Sequence, residues 1–180
     1  MRVAIYGGSF NPPHVAHQLA VAYVLATQPV DEVWAMPTGS HAFGKQLVPF
    51  HHRVAMTELA MQRFRGARVS ALEGDLPQPS YTVDTLKALR ERFPGIELSL
   101  VVGADVLPET PQWKAWPEIE RLARVVVVGR AGYPAAGSVM LPEVSSTEIR
   151  RRLALGQSVE GLLDRRVLDY AVANRLYSEV

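Results

Sequence analysis

Short apolar runs alternate with stretches of helical composition along the whole chain, and this alternation constrains the fold more than any other feature. Runs at Arg2–Tyr6, Glu32–Met36, Ala67–Leu72, Glu97–Val102 and Arg124–Val128, with a shorter one at Val139–Leu141, read as strands. Val15–Gln28, His51–Phe64 and Thr82–Phe93 between them read as helices, as do residues 146–155 and 164–175. Residues 103–117 hold Pro108, Pro111 and Pro117 and allow at best short helical turns. Strands separated by helices of this length require βαβ crossovers, because parallel strands cannot be joined by a hairpin. The pattern predicts one doubly wound, Rossmann-like α/β domain over residues 1–180, its parallel sheet covered by helices on both faces. In such a sheet, ligands sit outside the carboxyl ends of the strands where strand order reverses.

Composition removes several classes of chemistry. The 180 residues include no Cys, which excludes disulfide scaffolds, thiol nucleophiles and cysteine-ligated metals. No apolar run approaches the ~20 residues that cross a bilayer. The N-terminus lacks a basic segment followed by an apolar run and a small-residue cleavage site, so the expectation is a cytoplasmic location and no membrane partner. Net charge is +1, which argues against a nucleic-acid partner. That sum hides an uneven distribution: residues 1–30 and 33–57 hold no Asp or Glu, and all five His lie at positions 14, 17, 41, 51 and 52. An anion meets little repulsion there. Oligomeric state is left open, with a homo-oligomer compatible with the sequence.

The first predicted strand exits into Gly7-Gly8-Ser9-Phe10-Asn11-Pro12-Pro13-His14-Val15-Ala16-His17. Two glycines let backbone N–H groups approach a ligand closely, and a helix starting near His14 aims its free N–H groups at the same place. This is a phosphate cradle without the spacing of a P-loop or the third glycine of a dinucleotide turn. His14 and His17, three apart, share a helix face and can donate hydrogen bonds or positive charge to phosphate oxygens. Taken alone, such a pair also fits simple capping and packing. A metal reading finds no third ligand nearby.

Near the other end, Val144-Ser145-Ser146-Thr147-Glu148-Ile149-Arg150 reads as a helix N-terminus, with Ser145 and Glu148 at capping-box spacing. Its hydroxyls, free N–H groups and Arg150 suit a second anion site. A well-capped helix with a solvated basic face is the plainer alternative.

GGSFNPPHVAH resembles the GGxFDPxHxGH element of the HxGH nucleotidyltransferases, and VSSTEIR resembles their ISSTxIR element. Asn11 replaces the common Asp and Ala16 the usual Gly. Within that superfamily, Ser80-Tyr81-Thr82-Val83-Asp84-Thr85-Leu86 resembles the SYTxDTL segment of bacterial nicotinate-mononucleotide adenylyltransferases. Val102-Gly103-Ala104-Asp105-Val106-Leu107 resembles their GADxL, Trp113-Lys114-Ala115-Trp116 their WKxW, and Pro37 to Lys45 their P…PhK loop, with Phe43-Gly44 replacing Pro-His.

The resemblance implies an enzyme of NAD biosynthesis that joins ATP to nicotinate mononucleotide, with Mg²⁺ bound through substrate phosphates. It implies catalytic roles for His14, His17 and Arg150. Gly7, Gly8, Ser9, Lys45, Gly103, Asp105, Ser146 and Thr147 would contact ATP. Thr85, Trp113 and Lys114 would contact the nicotinate ring and carboxylate. Packing remains the alternative for Trp113 and for Thr85, and Trp34 and Trp116 read as packing residues. His41, His51 and His52 read as surface. Other acceptors, nicotinamide mononucleotide or phosphopantetheine among them, remain open, as does a non-catalytic nucleotide-binding protein.

Overall fold

The computed structural model describes residues 1–39, 47–133 and 139–178. Six strands form one sheet: β1 (Arg2–Gly8), β2 (Glu32–Pro37), β3 (Ala67–Val69), β4 (Glu97–Gly103), β5 (Ala123–Arg130) and β6 (Met140–Leu141). Their spatial order is β3-β2-β1-β4-β5-β6, and every neighbouring pair is parallel. The helices are α1 (Val15–Thr27), α2 (Phe50–Met61), α3 (Leu72–Asp75), α4 (Thr82–Arg92), α5 (Trp116–Leu122), α6 (Ser146–Ala154) and α7 (Arg165–Ala173), with a 3₁₀ turn at Leu107–Gln112. The expected doubly wound α/β fold is the one observed.

Side-chain alternation along the strands divides the interior into two cores. Ala4 of β1, Val33 and Ala35 of β2 and Val101 of β4 pack against Ala20, Val21 and Val24 of α1 and Met56 and Ala60 of α2, joined by Ile149 of α6 and Val167 of α7. Their strand neighbours Val3, Ile5, Trp34, Met36, Leu100 and Val102 face the opposite side, against Val83, Leu86 and Leu89 of α4 and Ile119 of α5. Helices therefore cover both faces. Leu86 and Leu89 are fully buried, so truncating either to Ala would cost about 2–5 kcal/mol.

Two elements differ from expectation. The strand read over Ala67–Leu72 ends at Val69, and the chain turns at once into the one-turn helix α3. In addition, α5 lies between the proline-rich turns and β5, although nothing helical was expected over Trp116–Leu122. Pro117 falls in the first turn of α5, where its missing N–H has no intrahelical partner to lose. It starts this helix rather than breaking one.

β1 and β4 are adjacent, pairing from Arg2 opposite Glu97 to Ile5 opposite Leu100. The chain winds from β1 outward to β2 and β3, then returns to β4 and winds the other way. The carboxyl ends of β1 and β4, at Gly8 and Gly103, thus open onto the switch point.

Candidate active site

His14 is the residue immediately before α1, with extended backbone at φ −140° and ψ 177°. Its N–H donates to His17 Nδ1 at 3.1 Å, and the two rings lie 3.8 Å apart between centroids. Because Nδ1 of His17 accepts, its ring proton resides on Nε2. Phe10 packs on the His17 ring at 4.8 Å and Tyr6 at 6.0 Å, so the pair sits in an apolar wall. Burial lowers the His14 pKa to about 3, with the Arg130 charge adding to the effect. His17 is held well below its ordinary value by burial first, then by His14 and Arg130. Both imidazoles are neutral at physiological pH, so before substrate arrives they offer N–H donors rather than charge.

The fixed cation beside them is Arg130, at the end of β5. It donates to Asp105 Oδ2 at 2.9 Å and to the Val144 carbonyl at 3.0 Å. Asp105 Oδ1 is buried and has no hydrogen-bond partner. An added Cβ at Gly103, where β4 ends, would fall against that same Oδ1, so the Asp105 carboxylate would have to shift.

Gly7, Gly8, Ser9, His14, His17, Thr85, Gly103, Asp105, Trp113 and Lys114 all line a single cavity of about 550 Å³ at the switch point. Ten expected residues, widely separated in sequence, therefore converge. Its far end is built by α4 and the 3₁₀ turn. Trp113 is half-buried and meets Trp116 edge-on at 5.8 Å. Lys114 pairs with Asp84 at 2.8 Å and lies over the Tyr81 ring at 4.6 Å. Ala115 adopts the left-handed region at φ 56°, turning the chain out of Trp113 and Lys114 and into α5. The Thr85 hydroxyl donates to Glu73 Oε1 at 2.9 Å, so its one proton is engaged within the protein. Glu73 also accepts from Ser80 Oγ at 2.9 Å. Burial pushes the Glu73 carboxyl up, against the pull of these donors and of Arg53.

Ser146, Thr147 and Arg150 lie beside this cavity without lining it. Ser145 caps α6, accepting the Glu148 N–H at 3.2 Å, as expected. Glu148 instead turns its carboxylate to Arg151 and Arg152, both at 2.8 Å. Ser146 Oγ donates to the Pro12 carbonyl at 2.9 Å and Arg150 Nη1 to the Asn11 carbonyl at 2.8 Å. Arg150 Nη2 reaches Thr147 Oγ1 at 3.3 Å. The start of α6 thus braces the backbone of the first turn, 134 residues away from Ser146 in the case of Pro12. Asn11 is buried, its side-chain oxygen accepting from Tyr177 O–H at 2.8 Å. Ala16 both lines the cavity and belongs to the α1 core. Lys45 and His41 lie outside the described residues.

Sequence reasoning missed Glu73, Arg53 and Arg130. Arg130 had a usable signal, a basic residue at the carboxyl end of the clearest strand, RVVVVGR. Glu73 had none, because α3 was hidden at the tail of an apparent strand. Trp34 is buried, its indole N–H donating to Glu32 at 2.7 Å. His51 is exposed, while His52 is partly buried and bonds the Tyr170 hydroxyl at 2.9 Å.

Comparison with known proteins agrees with this geometry. Residues 5–152 match the cytidylyltransferase-like family. A protein of Anaeromyxobacter dehalogenans, named "Probable nicotinate-nucleotide adenylyltransferase", is 49% identical over 97% of this chain and 96% of its own. Relatives of the same name in Myxococcus xanthus and Thermus thermophilus are 47% and 38% identical, each over 98% of this chain and 95% and 100% of their own. Among solved structures, Plasmodium falciparum nicotinic acid mononucleotide adenylyltransferase complexed with NaAD superposes with a TM-score of 0.85 over 99% of this chain and 98% of its own, at 19% identity. The same Plasmodium enzyme complexed with APC gives a TM-score of 0.81 at 18% identity, with the same coverage of both chains. Among the described residues, no helix is long and apolar enough to cross a membrane.

Proposed function

The chain belongs to the cytidylyltransferase-like family, within the group of nicotinate-nucleotide adenylyltransferases, and from that membership we propose that it joins ATP to nicotinate mononucleotide in NAD biosynthesis. An oxygen of the mononucleotide 5′-phosphate attacks the α-phosphorus of ATP in line. The bond from that phosphorus to the bridging oxygen breaks, pyrophosphate leaves, and the product is deamido-NAD. The phosphate is already ionised at neutral pH, so no side chain need remove a proton from it. Catalysis is then positioning plus stabilisation of charge on the transferring group.

The observation that carries this reading is the single cavity at the switch point, with a neutral His pair and a glycine turn at one end and Trp113 at the other. Gly7, Gly8 and Ser9 would present backbone N–H groups to the α-phosphate, joined by Nε2–H of His17 and by His14. Ser146, Thr147, Arg150 and Lys45 would engage the outer phosphates. Gly103 and Asp105 would meet the ATP ribose, and Trp113 would stack on the pyridinium ring. Because the Thr85 proton is held by Glu73, recognition of the carboxylate would rest chiefly on the backbone N–H groups around Lys114, with Thr85 closing the pocket beside them.

Mg²⁺ would reach the site through triphosphate oxygens, which it prefers over an all-protein cage, and would neutralise charge there. The residues fit that arrangement: the orphaned Oδ1 of Asp105 is a carboxylate oxygen suited to a metal-bound water.

A second reading has one observation behind it. With its proton on Glu73, Thr85 offers outward only lone pairs, which suit the N–H of a carboxamide, and this favours nicotinamide mononucleotide as acceptor. Both readings are tested by pyrophosphate release with ATP and a panel of nicotinate mononucleotide, nicotinamide mononucleotide and phosphopantetheine. The proposed function expects the nicotinate compound to give the highest kcat/KM. Comparable kcat/KM for the amide would transfer the assignment to the second reading, and ATP binding without turnover of any acceptor would overturn both.

A further inference from the structure

Arg53 of α2 is a large, charged side chain with 1% of its surface exposed. It makes no ion pair among the described residues; its donors go to main-chain carbonyls. Nε bonds Val48 at 3.1 Å, Nη1 bonds Ser9 at 3.1 Å and Thr38 at 2.6 Å, and Nη2 bonds Gly39 at 2.8 Å. Ser9 belongs to the turn after β1, whereas Thr38 and Gly39 follow the end of β2. Burying a guanidinium is costly unless its donors are satisfied, and here four bonds satisfy it at one junction.

Glu73 holds the same junction from the other side. Its Oε2 accepts the Gly39 N–H at 3.4 Å and Ser80 Oγ at 2.9 Å, while Oε1 accepts Thr85 Oγ1. Gly39 is thus gripped at its carbonyl by Arg53 and at its N–H by Glu73. The approach is close: a Cβ on Gly39 would fall 2.6 Å from the Glu73 carbonyl oxygen and 2.5 Å from Gln78 Nε2.

We infer that Arg53, together with Glu73, is a positioning unit that fixes the triphosphate side of the cavity relative to the acceptor side. Arg53 ties the turn after β1 to the segment after β2, through Ser9 and through Thr38–Gly39, and Glu73 carries the link from Gly39 to Ser80 and to Thr85 on the acceptor side. Neither residue need touch the reacting atoms. This inference rests on the proposed adenylyl transfer, because only a two-substrate in-line reaction depends on the relative placement of two halves. Loosening the junction leaves each binding surface intact but misaligns the acceptor oxygen and the α-phosphorus. Misplacement of about 1 Å costs on the order of 10²-fold in rate.

The test compares wild type, R53K, R53M and E73Q by steady-state kinetics in both substrates, with thermal unfolding and circular dichroism on each. R53K keeps the charge but cannot reach four carbonyls at once. The expected result is a kcat lowered roughly 10²-fold in R53K, with KM for ATP and for the acceptor each within about threefold of wild type. E73Q moves kcat in the same direction by less, and the R53K/E73Q double variant loses less than the product of the single losses, since both act on Gly39. If R53M does not fold, R53K and E73Q carry the test alone. A lowered melting temperature with kcat per folded molecule within threefold of wild type would show a purely structural role and overturn the inference while leaving the proposed function standing. If wild type turns over no acceptor, the proposed function fails and this inference falls with it.

Discussion

Arg130 donates to Asp105 at 2.9 Å inside the cavity that holds His14 and His17, and its charge helps keep both imidazoles neutral. A guanidinium therefore lies in this cavity beside two uncharged imidazoles, and in the proposed reaction it would add to the stabilisation of charge on the transferring phosphate. Replacement by Gln should lower kcat by about 10²-fold, the usual loss when one charge-stabilising contact is removed from a transition state. Lys should fall between Gln and wild type, because it retains charge without the planar fork. The Arg130 and Asp105 side chains are 31% and 27% exposed, so thermal stability should change little. Turnover of R130Q within threefold of wild type would show that Arg130 does not stabilise the transition state.

The neutral histidines also predict how stability depends on pH. Both have folded-state pKa values far below the ordinary 6.5 of the unfolded chain, His14 at about 3. The unfolded state therefore binds more protons between those values, and stability rises with pH across the window and is lost as pH falls below about 6.5. Each imidazole contributes a slope of about 1.4 kcal/mol per pH unit. Glu148 and Asp164, both depressed to about 2 by arginine partners, lose their contribution only as pH falls from the ordinary carboxylate values toward about 2, below the window of the imidazoles. Glu73 is shifted upward by burial and works in the opposite sense. Urea unfolding from pH 7 to pH 5 should show stability decreasing with acid, and His14→Gln or His17→Gln should flatten that dependence. An unchanged slope in both variants would mean that the imidazoles are not buried neutral.

How much of this was readable beforehand depends on the kind of interaction involved. The β1 turn and the α6 cap are local: a few adjacent residues set backbone conformation and present donors, so spacing exposes them. Ser145 as the cap of α6 is such a case, whereas the SYTVDTL segment was legible only through its resemblance to a known family. Arg53 and Glu73 are different, since their significance lies in contacts with main-chain groups 5 to 44 residues away that spacing does not reveal. Thr85 shows the limit most directly. Its place in the cavity followed from its motif, but the direction of its hydroxyl proton was set by Glu73, twelve residues upstream in α3. Helix α5 was missed because proline was read as a breaker, when position within a helix decides its effect.

Arg150 and Ser146 hold the carbonyls of Asn11 and Pro12, so in the proposed reaction α6 would act on the triphosphate side and not on the acceptor side. Substituting Arg150 by Gln should raise KM for ATP and lower kcat by about 10²-fold, with acceptor KM unchanged within threefold. Ser146→Ala removes one neutral hydrogen bond to a partly buried carbonyl and should cost about 1 kcal/mol of stability. Initial-rate measurements with each substrate varied in turn would separate the two sides. A rise confined to the acceptor KM in R150Q would contradict the assignment.

Trp113 gives the complementary prediction for the other end of the cavity. It is half-buried against Trp116 and stands beside Lys114, which is already paired with Asp84. Stacking on a cationic ring is worth about 0.5–2 kcal/mol, so Trp113→Ala should raise the acceptor KM by roughly 2- to 30-fold. Trp113→Phe keeps an aromatic face and should recover most of that loss. KM for ATP should stay unchanged in both, because the glycine turn and α6 are untouched. A structural role alone would instead lower the melting temperature of Trp113→Ala while acceptor KM stayed constant. Measuring both quantities on the same preparations decides between ring recognition and packing.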